Sequence, residues 1–313
     1  MILLTQYTLI FASILILVAL GGCVSEHSGV INLGLEGIMV IGALGGALVM
    51  KYLPAGTSPF VIVILTMMAA IVAGTVYSSL LAVACINFKA DQTIIRTALN
   101  PLGVAAATVA AKAINIAADP NNTSSEIVYR EGRQAFLTDI GGLQSNVLMI
   151  IACVVLIGIA VMLYKTRFGL RLMACGEHPQ AADSVGINVY KMRWAGVLLS
   201  GALGGLGGIV YITAGVSQWM FENGVAGFGF LALAVMIFGQ WKPKHIAWAA
   251  LLFGFFRALG NVHSGFDFLK ALDLPCGVYN MLPYAVSLIV LAFTSKRSRA
   301  PKAEGIPYDK GSR

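Results

Sequence analysis

The sequence predicts an all-α integral membrane protein, a polytopic bundle of about nine transmembrane helices, on three observations. Hydrophobic residues fill 58% of the 313 positions and charged residues 11%, against about a quarter charged in soluble domains. The apolar residues fall into runs of about 20, the length at which a helix rising about 1.5 Å per residue crosses a hydrocarbon core of about 30 Å. Glycine, at 35 residues, weakens helices in water but lets helices in a bilayer approach closely.

Taken in order, the runs are 7–22, 30–50, 60–87, 92–118, 143–164, 192–215, 227–241, 245–260 and 278–294. The first ends in Leu20-Gly21-Gly22-Cys23, loosely like a lipoprotein cleavage site, but no positive charge precedes it as a targeting peptide requires, so a first membrane helix is the better reading. The 60–87 run is long and contains Gly74, which allows a tilt or break. The 92–118 run follows Asp91 and carries Arg96 and Lys112, which allows a partly re-entrant course. The boundaries admit eight to ten crossings. Residues 1–295 form the membrane domain, and the basic, proline-containing tail 296–313 is expected to lack fixed structure or to touch anionic lipid headgroups.

The net charge of +7 suggests no nucleic-acid partner, because the basic residues lie in short loops and the tail. The loop at Lys89, the 165–193 loop, the Lys242/Lys244 turn and the tail hold 14 of the 21 lysines and arginines. The positive-inside rule places these cytoplasmic, with the N-terminus outside, the acidic 119–142 loop external and the C-terminus inside. That arrangement needs an odd number of crossings.

Five cysteines lack C-x-x-C spacing and read as small apolar fillers. The four histidines show no metal-ligand spacing, and no nucleophile and base are paired, so no catalytic residue and no metal site is expected. A membrane-embedded enzyme therefore has no constellation to support it. The glycine pairs Gly42/Gly46, Gly201/Gly205 and Gly204/Gly208 have the spacing of close helix packing.

Two stretches carry chemistry. In the 165–193 loop, Pro179 can open a helix, Gln180 to Val185 continue it and Gly186 end it in a left-handed cap. So short a helix needs a partner to hold it. Ala181 and Ala182 would let a groove approach, with Glu177 and Asp183 accepting hydrogen bonds, although a plain connector fits equally well. In the 30–50 run, Glu36 costs roughly 2.5–3.5 kcal/mol at the bilayer centre on insertion scales for comparable groups, so it must face protein or a wet cavity. Asn32 lies on the same helical face, and Gly34 and Gly37 allow the helix to bend or unwind. A polar wall of a substrate path and a buried brace both fit, and the same two readings hold for Asp91, Gln92 and Asn100.

These strings carry a resemblance. GEHPQAADSVGI (Gly176 to Ile187), preceded by RFGLRL (Arg167 to Leu172) and followed by SGALGGLGG (Ser200 to Gly208), resembles the cytoplasmic coupling segment of bacterial ABC importer permeases of the ribose, branched-chain amino acid and nucleoside group. The resemblance continues through Gly29 to Ala43, Ala90 to Asn100, Gly227 to Pro243 and Met281 to Leu291, and is strongest to the shorter permease of the nucleoside, simple-sugar-like branch. It implies a subunit of the bacterial inner membrane that carries a nucleoside or simple sugar. The implied partners are a cytoplasmic ATPase holding ATP and Mg, a second homologous permease and an extracytoplasmic binding protein. It implies no cofactor in this chain, which has no G-x-x-x-x-G-K-[ST] phosphate loop. It assigns Gly176, Glu177, Pro179, Ala181, Ala182 and Gly186 to contact with the ATPase, and while Asn32, Glu36, Asp91, Gln92, Arg96 and Asn100 are the candidates for the path on their own polar chemistry. Arg96 departs from the family, which usually has a small residue there. An ion-coupled secondary transporter of a small polar solute is the alternative, and would keep its coupling groups within the membrane.

Overall fold

Residues 2–54, 56–129, 134–140, 143–214, 218–262, 276–294 and 300–311 are described by the computed structural model. The helices follow the apolar runs: α1 (Ile2–His27), α2 (Leu35–Tyr52), α3 (Pro59–Ala82), α4 (Gln92–Ala118), α5 (Val147–Lys165), α6 (Arg167–Glu177), α7 (Pro179–Ser184), α8 (Val189–Thr213), α9 (Phe228–Phe238), α10 (Pro243–Val262) and α11 (Cys276–Thr294). Among the described residues eight segments are long and apolar enough to cross a membrane. The helix α11 occupies the last expected run.

Polar residues stop and start the helices where capping chemistry requires. Asn146 accepts from the Leu148 N–H to open α5, Thr166 from Gly169 to open α6, and Asn188 from Lys191 to open α8. Pro59 sits in the first turn of α3, where its missing N–H is harmless. Gly74 does not break α3; the helix runs on and loosens only in a π turn at Val83–Asn87, where Asn87 accepts from the Trp194 indole. The helix α4 is likewise continuous, with Pro101 inside it.

At the centre α1 packs against α8, α9 and α10, and α2 packs against α3, α4 and α8. The Gly21-Gly22-Cys23 string lies in the middle of this packing, buried. Small residues set the contacts: a methyl group on Gly42 would collide with Gly205, and one on Gly205 with the Ala70 carbonyl, so three helix backbones touch there.

The mostly helical membrane bundle forms as expected, and two short strand pairs are added in its loops: β1 (Glu126–Val128) pairs antiparallel with β4 (Gln218–Met220), and β2 (Leu137–Ile140) with β3 (Leu143–Asn146). The 119–142 loop is thereby clamped to the end of α8, with Tyr129 donating to the Ile212 carbonyl at 2.8 Å. The breaks in the crossings fall at 28–34 and 221–227 rather than at Gly74 or within 92–118. Finally, residues 300–311 of the tail are folded against the bundle, with Ala303 and Tyr308 buried.

Candidate functional site

Two interrupted crossings meet inside the bundle. The helix α9 has 11 residues, about 16 Å of rise, or roughly half of the hydrocarbon thickness. Its N-terminus therefore lies within the bundle, where backbone N–H groups have no water to satisfy them. Glu36, in the first turn of α2, supplies the missing acceptor: Oε1 accepts from the Gly227 N–H at 2.8 Å and Oε2 from Gly229 at 2.7 Å. Its negative charge also lies at the positive end of the α9 dipole. Gly227 adopts φ +78°, a left-handed conformation suited to glycine.

The non-helical link 28–34 is braced by the other polar residues. Asn32 accepts from the Gly34 N–H and donates to Ser200 Oγ at 2.8 Å. Asn100 accepts from the Gly37 N–H at 3.1 Å and donates to the Leu33 carbonyl at 2.9 Å. Gln92 accepts from the Ile31 N–H at 3.3 Å. Asp91 caps the start of α4 by accepting from Ile94 at 3.2 Å, on the exposed edge. Arg96 falls in α4, its side chain outside the described residues. Glu36 and Asn100 also line an open cavity of ≈ 430 Å³ with Leu33, Thr97, Pro101, Val104 and Phe230. The structure thus brings Asn32, Glu36 and Asn100 together as braces, two of them with a face on a cavity, and leaves Asp91 apart.

At the basic end of the bundle, α7 forms as its residues require. Pro179 opens it, and Gly186 closes it at φ +85° while its N–H donates to the Asp183 carbonyl. The orientation of α7 is the surprise. Ala182 is buried with Cys175, Val189 and Tyr308, so it faces the protein's own interior. Gly176 is buried as well, and a methyl group on it would collide with the His27 carbonyl. The outward face consists of Glu177, Gln180, Ala181, Ser184 and Val185. Burial pushes the Cys175 thiol up to about 11, so it stays a neutral packing group.

The tail completes this end. The Ala303 N–H donates to the Gly176 carbonyl at 2.8 Å, and the Gly305 N–H to Gly29 at 3.2 Å. Arg193 Nη1 donates to the Ile306 carbonyl at 2.8 Å, Tyr308 meets Tyr190 edge-on, and Lys89 pairs with Asp309 at 3.0 Å. The hydrogen bond with Asp309 holds Lys89 above the usual lysine range, and Lys89 holds Asp309 below the carboxylate range. Asp309 contributes above its unfolded pKa and loses its share as pH falls through the folded one; Lys89 contributes below its unfolded pKa and loses its share as pH rises. The pair is therefore complete between the ordinary carboxylate and lysine values and is lost only on going past the shifted ones.

The sequence counted Arg193 only among the basic residues of the 165–193 loop and did not show that the tail packs against it. A lone arginine at the start of an apolar helix was the available signal.

With this architecture in view, residues 4–293 match the model of the branched-chain amino acid transport system permease component. The chain belongs to this family. A guanosine ABC transporter permease protein, NupQ of Bacillus subtilis, is 39% identical to the permease over 98% of this chain and 96% of its own. The nucleoside ABC transporter permease protein NupC of Lactococcus lactis is 39% identical over 96% and 95%. A putative glucose ABC transporter permease, TsgC13 of Haloferax volcanii, is 31% identical over 92% and 90%. The permease is a transport subunit of a family that lacks an ATPase domain of its own.

Proposed function

We propose that the permease is the membrane subunit of an ATP-driven ABC importer for a nucleoside, with a simple sugar as the next candidate. The observation that carries this is near-full-length similarity to permeases named for guanosine and nucleosides. In this reading a separate ATPase, which holds ATP and Mg, seats on α7. A second permease completes the path, and a binding protein delivers substrate from outside. The concentration of lysine and arginine at the end bearing α7 supports a cytoplasmic placement for it in the bacterial inner membrane. The ion-coupled alternative loses ground because Asn32, Glu36 and Asn100 spend their polar atoms on backbone groups and Ser200.

The burial pattern refines which residues meet the ATPase. Ala181 and Val185 point outward, and Val185 is 75% exposed. An Ala181→Trp permease is expected to insert normally and to retain about 5- to 150-fold less ATPase on co-purification, the equivalent of overpacking a fitted contact by about 1–3 kcal/mol. Ala182→Trp, by contrast, should disturb the permease itself. Because the ATPase is cytoplasmic, loss of ATPase from Ala181→Trp also fixes the orientation. Full ATPase retention and full transport by Ala181→Trp would leave residues 176–186 a connector.

A further inference from the structure

We propose that residues 300–311 are a strap that makes α7 and the cytoplasmic ends of the membrane helices move as one unit, with Tyr308 and Arg193 as its positioning residues. The proposal rests on the reading of α7 as the ATPase seat. Three observations carry it. First, α7 has six residues and cannot keep its place alone; of the four buried side chains in the cluster beneath it, Cys175, Ala182 and Val189 come from the loop and Tyr308 comes from the tail.

Second, the strap grips five separate elements. Ala303 bonds to α6 at Gly176, and Gly305 to the link 28–34 at Gly29. Tyr190 and Arg193 of α8 hold the carbonyls of Tyr308 and Ile306. Lys89, beyond α3, pairs with Asp309, and Lys310 lies 3.9 Å from Asp183 of α7. A terminus that merely packs needs one neighbour; this one ties α7 to the link whose far end leads to Glu36.

Third, Arg193 is 1% exposed, and among the described residues neither its Nε nor its Nη2 makes a hydrogen bond. Its guanidinium lies against Gly29 and 6.0 Å from the Tyr308 ring. A buried guanidinium with so few partners is costly and calls for an explanation. Its grip on the Ile306 carbonyl, at the point where strap, α8 and link converge, supplies one: displacement of α7 pulls on the tail, and the tail pulls on α8 and the link.

The test uses the complete transporter in proteoliposomes, with the labelled nucleoside or sugar that the full chain carries. Four forms are compared: the full chain, a chain ending at Arg299, Tyr308→Ala and Tyr308→Phe. The quantity read is substrate transported per ATP hydrolysed, beside the amount of ATPase retained. The shortened chain and Tyr308→Ala are expected to keep their ATPase and its hydrolysis while transport per ATP falls by about fivefold or more, the range of a functional coupling between sites. Tyr308→Phe keeps the ring and should restore the ratio.

An unchanged ratio in Tyr308→Ala overturns the strap, even if the shortened chain fails to insert. Loss of the ATPase from Tyr308→Ala also overturns it, by making the tail a docking surface. Ala181→Trp separates the two levels: if it too leaves ATPase and transport intact, the seat on α7 and the strap both fall, whereas if it detaches the ATPase and Tyr308→Ala does nothing, only the strap falls.

Discussion

Replacing Glu36 with leucine is expected to remove most of the folded permease, and transport with it. The substitution eases insertion of α2 by deleting a charge, yet it strips the acceptor from the Gly227 and Gly229 N–H groups at the buried start of α9. Each orphaned donor costs about 1–3 kcal/mol, and the lost charge at the helix N-terminus up to about 2 kcal/mol more. Against a total stability of about 5–15 kcal/mol, that sum is large. Glu36→Gln, which keeps one carbonyl acceptor, should retain an intermediate fraction. The check is the monodisperse fraction on detergent size-exclusion chromatography. A normal folded yield with transport abolished would instead make Glu36 a wall of the path, with its bracing bonds secondary.

Gly205→Leu should be comparably severe. At this position α8 meets Gly42 of α2 and the Ala70 carbonyl and Gly74 of α3 with no room for a side chain, and none of these three contacts is a flexible tip that can move aside. Overpacking costs about 1–3 kcal/mol where side chains can yield, and more where backbones must separate. Gly158→Leu in α5 is the matched control, since a side chain there meets nothing within 4 Å. The expected result is a clear fall in Tm for Gly205→Leu and almost none for Gly158→Leu. Equal Tm values would show that the three-helix contact is looser than its geometry.

The crossings were legible because hydrophobic length is a local property. So was α7, whose start and stop are written in Pro179 and Gly186. What escaped depends on partners far along the chain. Glu36 read as either wall or brace because its acceptor role is set by Gly227 and Gly229, some 190 residues on. Gly34 hinted at the break at 28–34, but nothing local shows that it and the break at 221–227 meet in space. Ala181 and Ala182 looked equivalent, but Ala182 faces inward against Cys175, Val189 and the distant Tyr308. The tail looked disordered because it lacks an apolar period. It is held instead by backbone bonds and single anchors such as Ile306 to Arg193. The strand pair β1 and β4 was hidden for the same reason, being three residues long on each side and joining residues at least 90 positions apart.

The central claim, an ATP-driven nucleoside importer subunit, is tested most directly by uptake. The permease, co-expressed with its partner chains, is reconstituted into proteoliposomes and given labelled guanosine and its binding protein. The account predicts accumulation that requires ATP on the ATPase side, stops when hydrolysis is blocked and persists when proton and sodium gradients are collapsed. Uptake that continues without ATP and disappears with an ion gradient would contradict it.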